Sequence, residues 1–142
     1  MTSPWFINTD LEITSRRDLS DFVAGLGSTV FALYNGPLEG TGGAFFANLE
    51  LKSSRWREPD GQIRAFLRAI DRAPTSLREV WERARRRRFC LGFYSGREYP
   101  AIELQLRPDT LATIAAAKAE VSIAVYPLEP EDTRTRARTR RS

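Results

Sequence analysis

The residues best equipped for chemistry lie between 81 and 94, in the stretch WERARRRRFCLGFY. Four consecutive arginines, Arg85, Arg86, Arg87 and Arg88, precede aromatic and small residues that include the single cysteine, Cys90. A guanidinium recognises phosphates and carboxylates through a rigid fork of N–H donors. Arginines beside a cysteine can lower the thiol's pKa, whereas a cysteine inside a strand serves equally well as inert packing. A second basic block, TRTRARTRRS at 133–142, carries Arg134, Arg136, Arg138, Arg140 and Arg141 without an acid. Such a block attracts polyanions through counterion release, weakly and with steep salt dependence. It lacks the interleaved aromatics that would add base stacking.

Geometry decides what the central run does. On a helix, with about 100° per residue, Arg85 to Arg88 fan around the whole cylinder instead of lining one side. Glu79 and Glu82 stand four residues ahead of Arg83 and Arg86, an order that favours helical ion pairs of roughly 0.2–0.5 kcal/mol. Cations in a last turn also answer the helix dipole, for about 0.3–1 kcal/mol. The run therefore reads first as a solvated helix end. Arg85 and Arg87 remain candidate contacts for a phosphate or an acidic partner. Trp56, in the polar stretch SSRWREPDG, is a further candidate: exposed it would be a binding anchor, buried it would cover the core edge.

What is missing narrows the function. There is no histidine, which removes His-dependent triads, His–Cys pairs and the commonest transition-metal ligand. One cysteine removes structural zinc sites built from Cys and His. The two lysines, Lys52 and Lys118, are expected at the ends of a strand and a helix. GLGSTV (25–30) follows a helical pattern and precedes a strand, the reverse of a phosphate cradle. Carboxylates remain, and Glu12 and Glu103 hold matching places that point away from the core. The expectation is no catalytic residue, no cofactor, no metal site and no group that titrates near neutrality.

Length and composition set the frame. A chain of 142 residues with 42% apolar side chains reads as one domain with an ordinary core. The net charge of +4 belongs to the end of the chain: without residues 133–142, 17 basic side chains face 18 acidic ones. Arginine outnumbers lysine twenty to two, as GC-rich coding would produce. No apolar run approaches the ~20 residues of a membrane span, and MTSPWFINTD lacks the pattern of a secretory signal. With one cysteine, a cytoplasmic location is expected.

The elements that would position these groups follow from periodicity. Trp5, Ile7, Thr9, Leu11 and Ile13 alternate on one face of a strand, with Asn8, Asp10 and Glu12 on the other. Ser15 is a candidate cap for a helix with Leu19, Phe22, Val23 and Leu26 inward, closed by Gly27. STVFALY and AFFANLELK read as strands around the loop NGPLEGTGG. Ile63, Phe66, Leu67 and Ile70 mark a helix after Asp60, and Ser76 with Glu79 reads as a capping box for the next, with Leu77, Val80, Trp81 and Ala84 inward. FCLGFY and YPAIELQL read as a hairpin about SGRE, with Phe89, Leu91 and Phe93 inward. Asp109 would cap a last helix before the strand EVSIAVY. Segments 11–34 and 102–126 share one strand–helix–strand grammar.

The predicted fold is α+β: about six strands with helices packed on the sheet and two βαβ-like units, in a ferredoxin-like or related sandwich. Residues 1–129 form the domain, and 130–142 a disordered, Arg-rich tail.

FLRAIDRAPTSLREVWERARRRRFCLGFYSG and LRPDTLATIAAAKAEVSIAVYP resemble an uncharacterised family of small bacterial cytosolic α+β proteins. Its pattern places a proline after a helix, then a tryptophan, then R-F-x-x-G at the start of a strand, and closes on Y-P. Here those positions are Ala73-Pro74, Trp81, Arg88-Phe89 with Gly92, and Tyr126-Pro127. The family's leucine before the proline is Ala73 here, and the fourfold arginine run is local to this chain. The resemblance spans most of residues 6 to 127 and implies no activity or catalytic residue. It makes Trp81, Arg88 and Gly92 fold determinants.

The functional expectation is a non-catalytic protein-binding module, of which an immunity-type protein is one form, with another protein as partner and no membrane. One alternative is a weak, nonspecific nucleic-acid binder acting through the tail. Another is a carboxylate-based enzyme for a small substrate, which requires clustered acids in a polar pocket.

Overall fold

Strand β1 (Trp5–Ser15) is the middle strand of a five-stranded sheet. A computed structural model describes residues 3–40 and 42–127. Helix α1 (Ser20–Leu26) and one 3-10 turn lead to β2 (Val30–Pro37) and β3 (Phe45–Leu51). Helices α2 (Pro59–Asp71) and α3 (Thr75–Arg83) lead to β4 (Arg86–Tyr94), and α4 (Pro108–Ala116) leads to β5 (Glu120–Tyr126). The sheet order is β2-β3-β1-β4-β5; neighbours among its first four strands are antiparallel, and β5 runs parallel to β4. The α1 connection crosses β3, the α2–α3 connection crosses β1, and α4 joins neighbouring strands.

The helices bury one face of this sheet. Leu11, Ile13, Leu49, Phe89 and Leu91 meet Leu19, Phe22, Ile63, Phe66 and Trp81 in one core. Phe22, Phe66 and Phe89 are fully buried, each worth roughly 1.5–3 kcal/mol of transfer free energy. Trp81 stacks on Phe22 at 6.2 Å, which ties α3 to α1. Gly25 permits that approach: a Cβ there would lie 2.1 Å from Leu77 Cδ1. Inward Phe89, Leu91 and Phe93 agree with the alternation read from the sequence.

Five strands are present among the described residues, where about six were expected. Residues 101–107 form no strand. The reason is competition for edges: β1 takes one side of β4, and β5 takes the other from Arg88–Glu120 to Tyr94–Tyr126. The expected hairpin partner of FCLGFY is thereby displaced, and the 102–126 pattern lacks its opening strand. A bulge at Ile7 is a second departure. Phe6 pairs with Phe93 and Asn8 with Gly92, so Trp5 and Ile7 leave the core face that Thr9, Leu11 and Ile13 keep.

The expected caps are also replaced. Ser15 Oγ accepts from the Arg17 N–H, while Asp18 accepts from the Ser20 N–H at the start of α1. Neither α3 nor α4 has a side-chain cap on its own first residues. Asp60, buried in the first turn of α2, accepts from the Arg107 N–H at 2.8 Å and so anchors the start of α4. Burial opposes its charge, yet the Arg107 N–H, with Thr110 and Arg64 alongside, holds this carboxyl below its ordinary pKa.

Candidate binding site

The arginine run belongs to a strand, not to a helix end. Helix α3 stops at Arg83, and β4 begins at Arg86, so the side chains alternate instead of fanning out. Arg86 points to the uncovered face and forms a forked pair with Glu120 at 2.9 and 3.1 Å. Arg88, on the same face, is bound to Glu12 through Nε at 3.1 Å and also through Nη2. Arg87 turns inward. Its Nη1 donates to the carbonyls of Trp81 at 2.7 Å, Glu82 at 3.2 Å and Ala84 at 3.1 Å, which closes the C-terminus of α3. Desolvation lowers its pKa, and its guanidinium lies 5.7 Å from the Trp81 ring centre. Only Arg85, of the two candidate contacts in this run, is exposed; Arg87 is buried and spends its donors on the fold.

The uncovered face carries the chemistry that sequence reasoning missed. Asp10 and Glu12 on β1, Glu50 on β3, and Arg88 and Cys90 on β4 form a polar strip across the middle of the sheet. Asn8 Nδ2 donates to Glu50 Oε1 at 2.7 Å. Partial burial, then the nearby Glu50 and Glu12 carboxylates, push Asp10 up to about 7. This corrects the expectation that no group titrates near neutrality. Alternation had placed Asn8, Asp10 and Glu12 on one face, but the neighbouring Glu50 is a matter of strand order. Burial, followed by Glu12, raises the Cys90 thiol to about 11 despite Arg88, so the lowered-pKa reading of Cys90 fails. Among the described residues no group of three or more Asp, Glu or Cys side chains is arranged to hold a metal ion.

A row of aromatics, Trp5, Tyr94 and Tyr126, crosses one end of that face with ring centres 4.6 and 6.1 Å apart. Such rows stack nucleobases when cations flank them. Here Asp10, Glu12, Glu50 and Glu120 share the face, and its two arginines are already paired, which disfavours a phosphate backbone.

Trp56 is half-buried in the loop that precedes α2. Its carbonyl accepts from Gln62 Nε2 at 3.0 Å, and Gln62 Oε1 accepts from the Thr9 N–H at 2.7 Å, pinning the loop to β1. The Arg55 and Arg68 guanidiniums lie 4.9 and 5.2 Å from the indole centre. Trp56 thus closes an edge of the fold and still presents part of its ring beside arginines.

An uncovered apolar surface lies at the far edge of the sheet. Strand β5 turns Val121, Ile123 and Val125 toward the helix side, where no helix among the described residues covers them: they are 38%, 66% and 60% exposed. Residues 101–107 run beside them and contribute Ile102, Leu104 and Leu106 to a groove of about 380 Å³, floored by Leu91 and Phe93. Among the described residues, no strand pairs with the other edge of β5. Apolar pocket and open strand edge therefore coincide. The sequence showed an apolar EVSIAVY strand, but its position at an edge followed from strand order alone.

The tail candidates Arg134, Arg136, Arg138, Arg140 and Arg141 lie outside the described residues. No helix among the described residues is long and apolar enough to cross a membrane. No family model, curated protein or solved structure matches this chain.

Proposed function

We propose that this protein is a non-catalytic protein-binding module that accepts an extended segment of a partner polypeptide along β5. One observation carries the reading: an edge that no described strand pairs adjoins an uncovered apolar groove. Strand addition uses both at once, backbone hydrogen bonds for affinity and alternate side chains in pockets for specificity. Without a partner such an edge is a site for aggregation, and natural sheets blunt their edges with lysine, proline or bulges. Strand β5 has none of these devices. An immunity-type role, in which the module masks a toxin, is one form of this function. The order β2-β3-β1-β4 with its two crossing connections supports a ferredoxin-like core, to which α4 and β5 add the docking edge.

The test compares wild type with Ile123→Arg, immobilised and challenged with lysate of the host. The reading expects specific polypeptides retained by wild type and lost, at least tenfold, by the variant. Equal retention by both proteins contradicts it.

A second reading, acid–base chemistry on a small substrate, is favoured by Asp10 and its pKa of about 7 beside two carboxylates. It expects turnover of a metabolite that Asp10→Asn abolishes. The neighbouring cleft of about 420 Å³ takes in Asn8 and Glu50 but not Asp10, so this reading ranks second.

A further inference from the structure

Resting on the reading of β5 as a polypeptide-accepting edge, we infer that the segment it accepts is β5 of a second copy, paired antiparallel about a twofold axis at Ile123. The basis is a pseudo-palindrome. Residues 121–125 read Val-Ser-Ile-Ala-Val, large-small-large-small-large about the central isoleucine. Antiparallel pairing centred there sets Ile123 opposite Ile123, Val121 opposite Val125 and Ser122 opposite Ala124. The apolar faces of both strands then merge on the helix side into one stripe. A twofold interface requires self-complementarity of this kind.

Charge permits the same register. The one charged residue of β5 is Glu120, which the symmetric pairing sets opposite Tyr126 and not opposite another Glu120. Its carboxylate is already held by the forked pair with Arg86 of its own chain. No like charges face each other across the seam, an arrangement that is destabilising in sheets. The opposite edge of the sheet does not offer an equivalent surface. Strand β2 has a register shift between Ala32 and Tyr34 and ends on Gly36-Pro37, features that interrupt pairing. The chain's own end is a poor occupant, because residues 128–142 contribute only Leu128 and Ala137 as apolar side chains for a groove lined by valine, isoleucine and leucine.

The register can be read by cysteine cross-linking in a Cys90→Ser background. Residues directly opposite in antiparallel strands have Cα atoms about 4.5–5.5 Å apart, within disulfide range. Diagonal neighbours lie roughly 7–8 Å apart, at or beyond its limit. Ile123→Cys alone is expected to form a disulfide dimer under mild oxidation. Ser122→Cys alone and Ala124→Cys alone are not, while an equimolar mixture of those two is. Light scattering should give wild type twice the 16.1 kDa chain mass and Ile123→Arg the single mass. Ile123 is 66% exposed, and an unchanged near-ultraviolet circular dichroism spectrum will confirm that the variant folds.

Other outcomes overturn the inference in distinguishable ways. A monomeric wild type without selective cross-linking, which still loses a heterologous polypeptide on Ile123→Arg substitution, overturns the second copy and leaves the docking edge standing. A monomer whose binding is indifferent to Ile123 overturns both. Cross-linking without register selectivity shows nonspecific edge association and also refutes the symmetric pair.

Discussion

Substituting Asp10→Asn should make the protein more stable, by a margin that grows from about pH 4 and is full above about pH 7. The folded chain holds the Asp10 proton up to about pH 7, because ionisation places a carboxylate in a half-buried position beside Glu50 and Glu12. In the unfolded chain the same group ionises near its ordinary value of 3.8. Below that value both states are protonated and the group contributes nothing. Between 3.8 and about 7 the folded state is progressively penalised, and above 7 the penalty is complete. At ~1.36 kcal/mol per pH unit the full span is worth about 4 kcal/mol. Asp10 is only partly buried, so solvent screening reduces this to roughly 2 kcal/mol. Urea unfolding of both proteins across this pH range measures the difference. The asparagine variant should match wild type near about pH 4 and exceed it by about 2 kcal/mol at about pH 8.5, with unchanged m-values. A difference that is constant with pH, or a variant weaker than wild type at high pH, would refute the reasoning.

Two further substitutions examine the relocated arginine run and the cysteine. Arg87→Ala strips three carbonyls at the end of α3 of their donor, and should cost about 2–3 kcal/mol in thermal or urea unfolding, whereas Arg85→Ala should change stability by less than about 0.5 kcal/mol. Cys90, raised from 9.0 to about 11, should react with a disulfide reagent at about pH 8 roughly a hundredfold more slowly than in the urea-unfolded chain.

The core of this fold was legible because its signals are local. Period-two alternation identified Leu11, Ile13, Phe89, Leu91 and Phe93, and helical spacing identified Phe22, Ile63, Phe66, Ile70 and Trp81, all of them buried. What failed depends on which strands become neighbours. The segment IELQL carries a good strand pattern, but β5 occupies the edge that it would need. The arginines were assigned to a helix because the α3 pattern runs on past Arg83 without a breaker. The strand instead begins at Arg86, and its alternation gives Arg87 a burial that no helical reading could assign. Asp10 was placed on the correct face, yet its pKa depends on Glu50, forty residues away in the chain. The uncovered edge at β5 is likewise a property of sheet order. Candidate sites in this protein arise where distant strands meet.

Amide hydrogen exchange tests the central claim most directly. It should be followed by mass spectrometry in dilute protein and again in the assembled state, whether the occupant is a second copy or a captured polypeptide. The account predicts new protection confined to residues 120–126 and the adjoining 102–106, with the uncovered face around Asp10 and the loop at Trp56 unchanged. Protection that falls on those other surfaces while β5 exchanges at its free rate would contradict it.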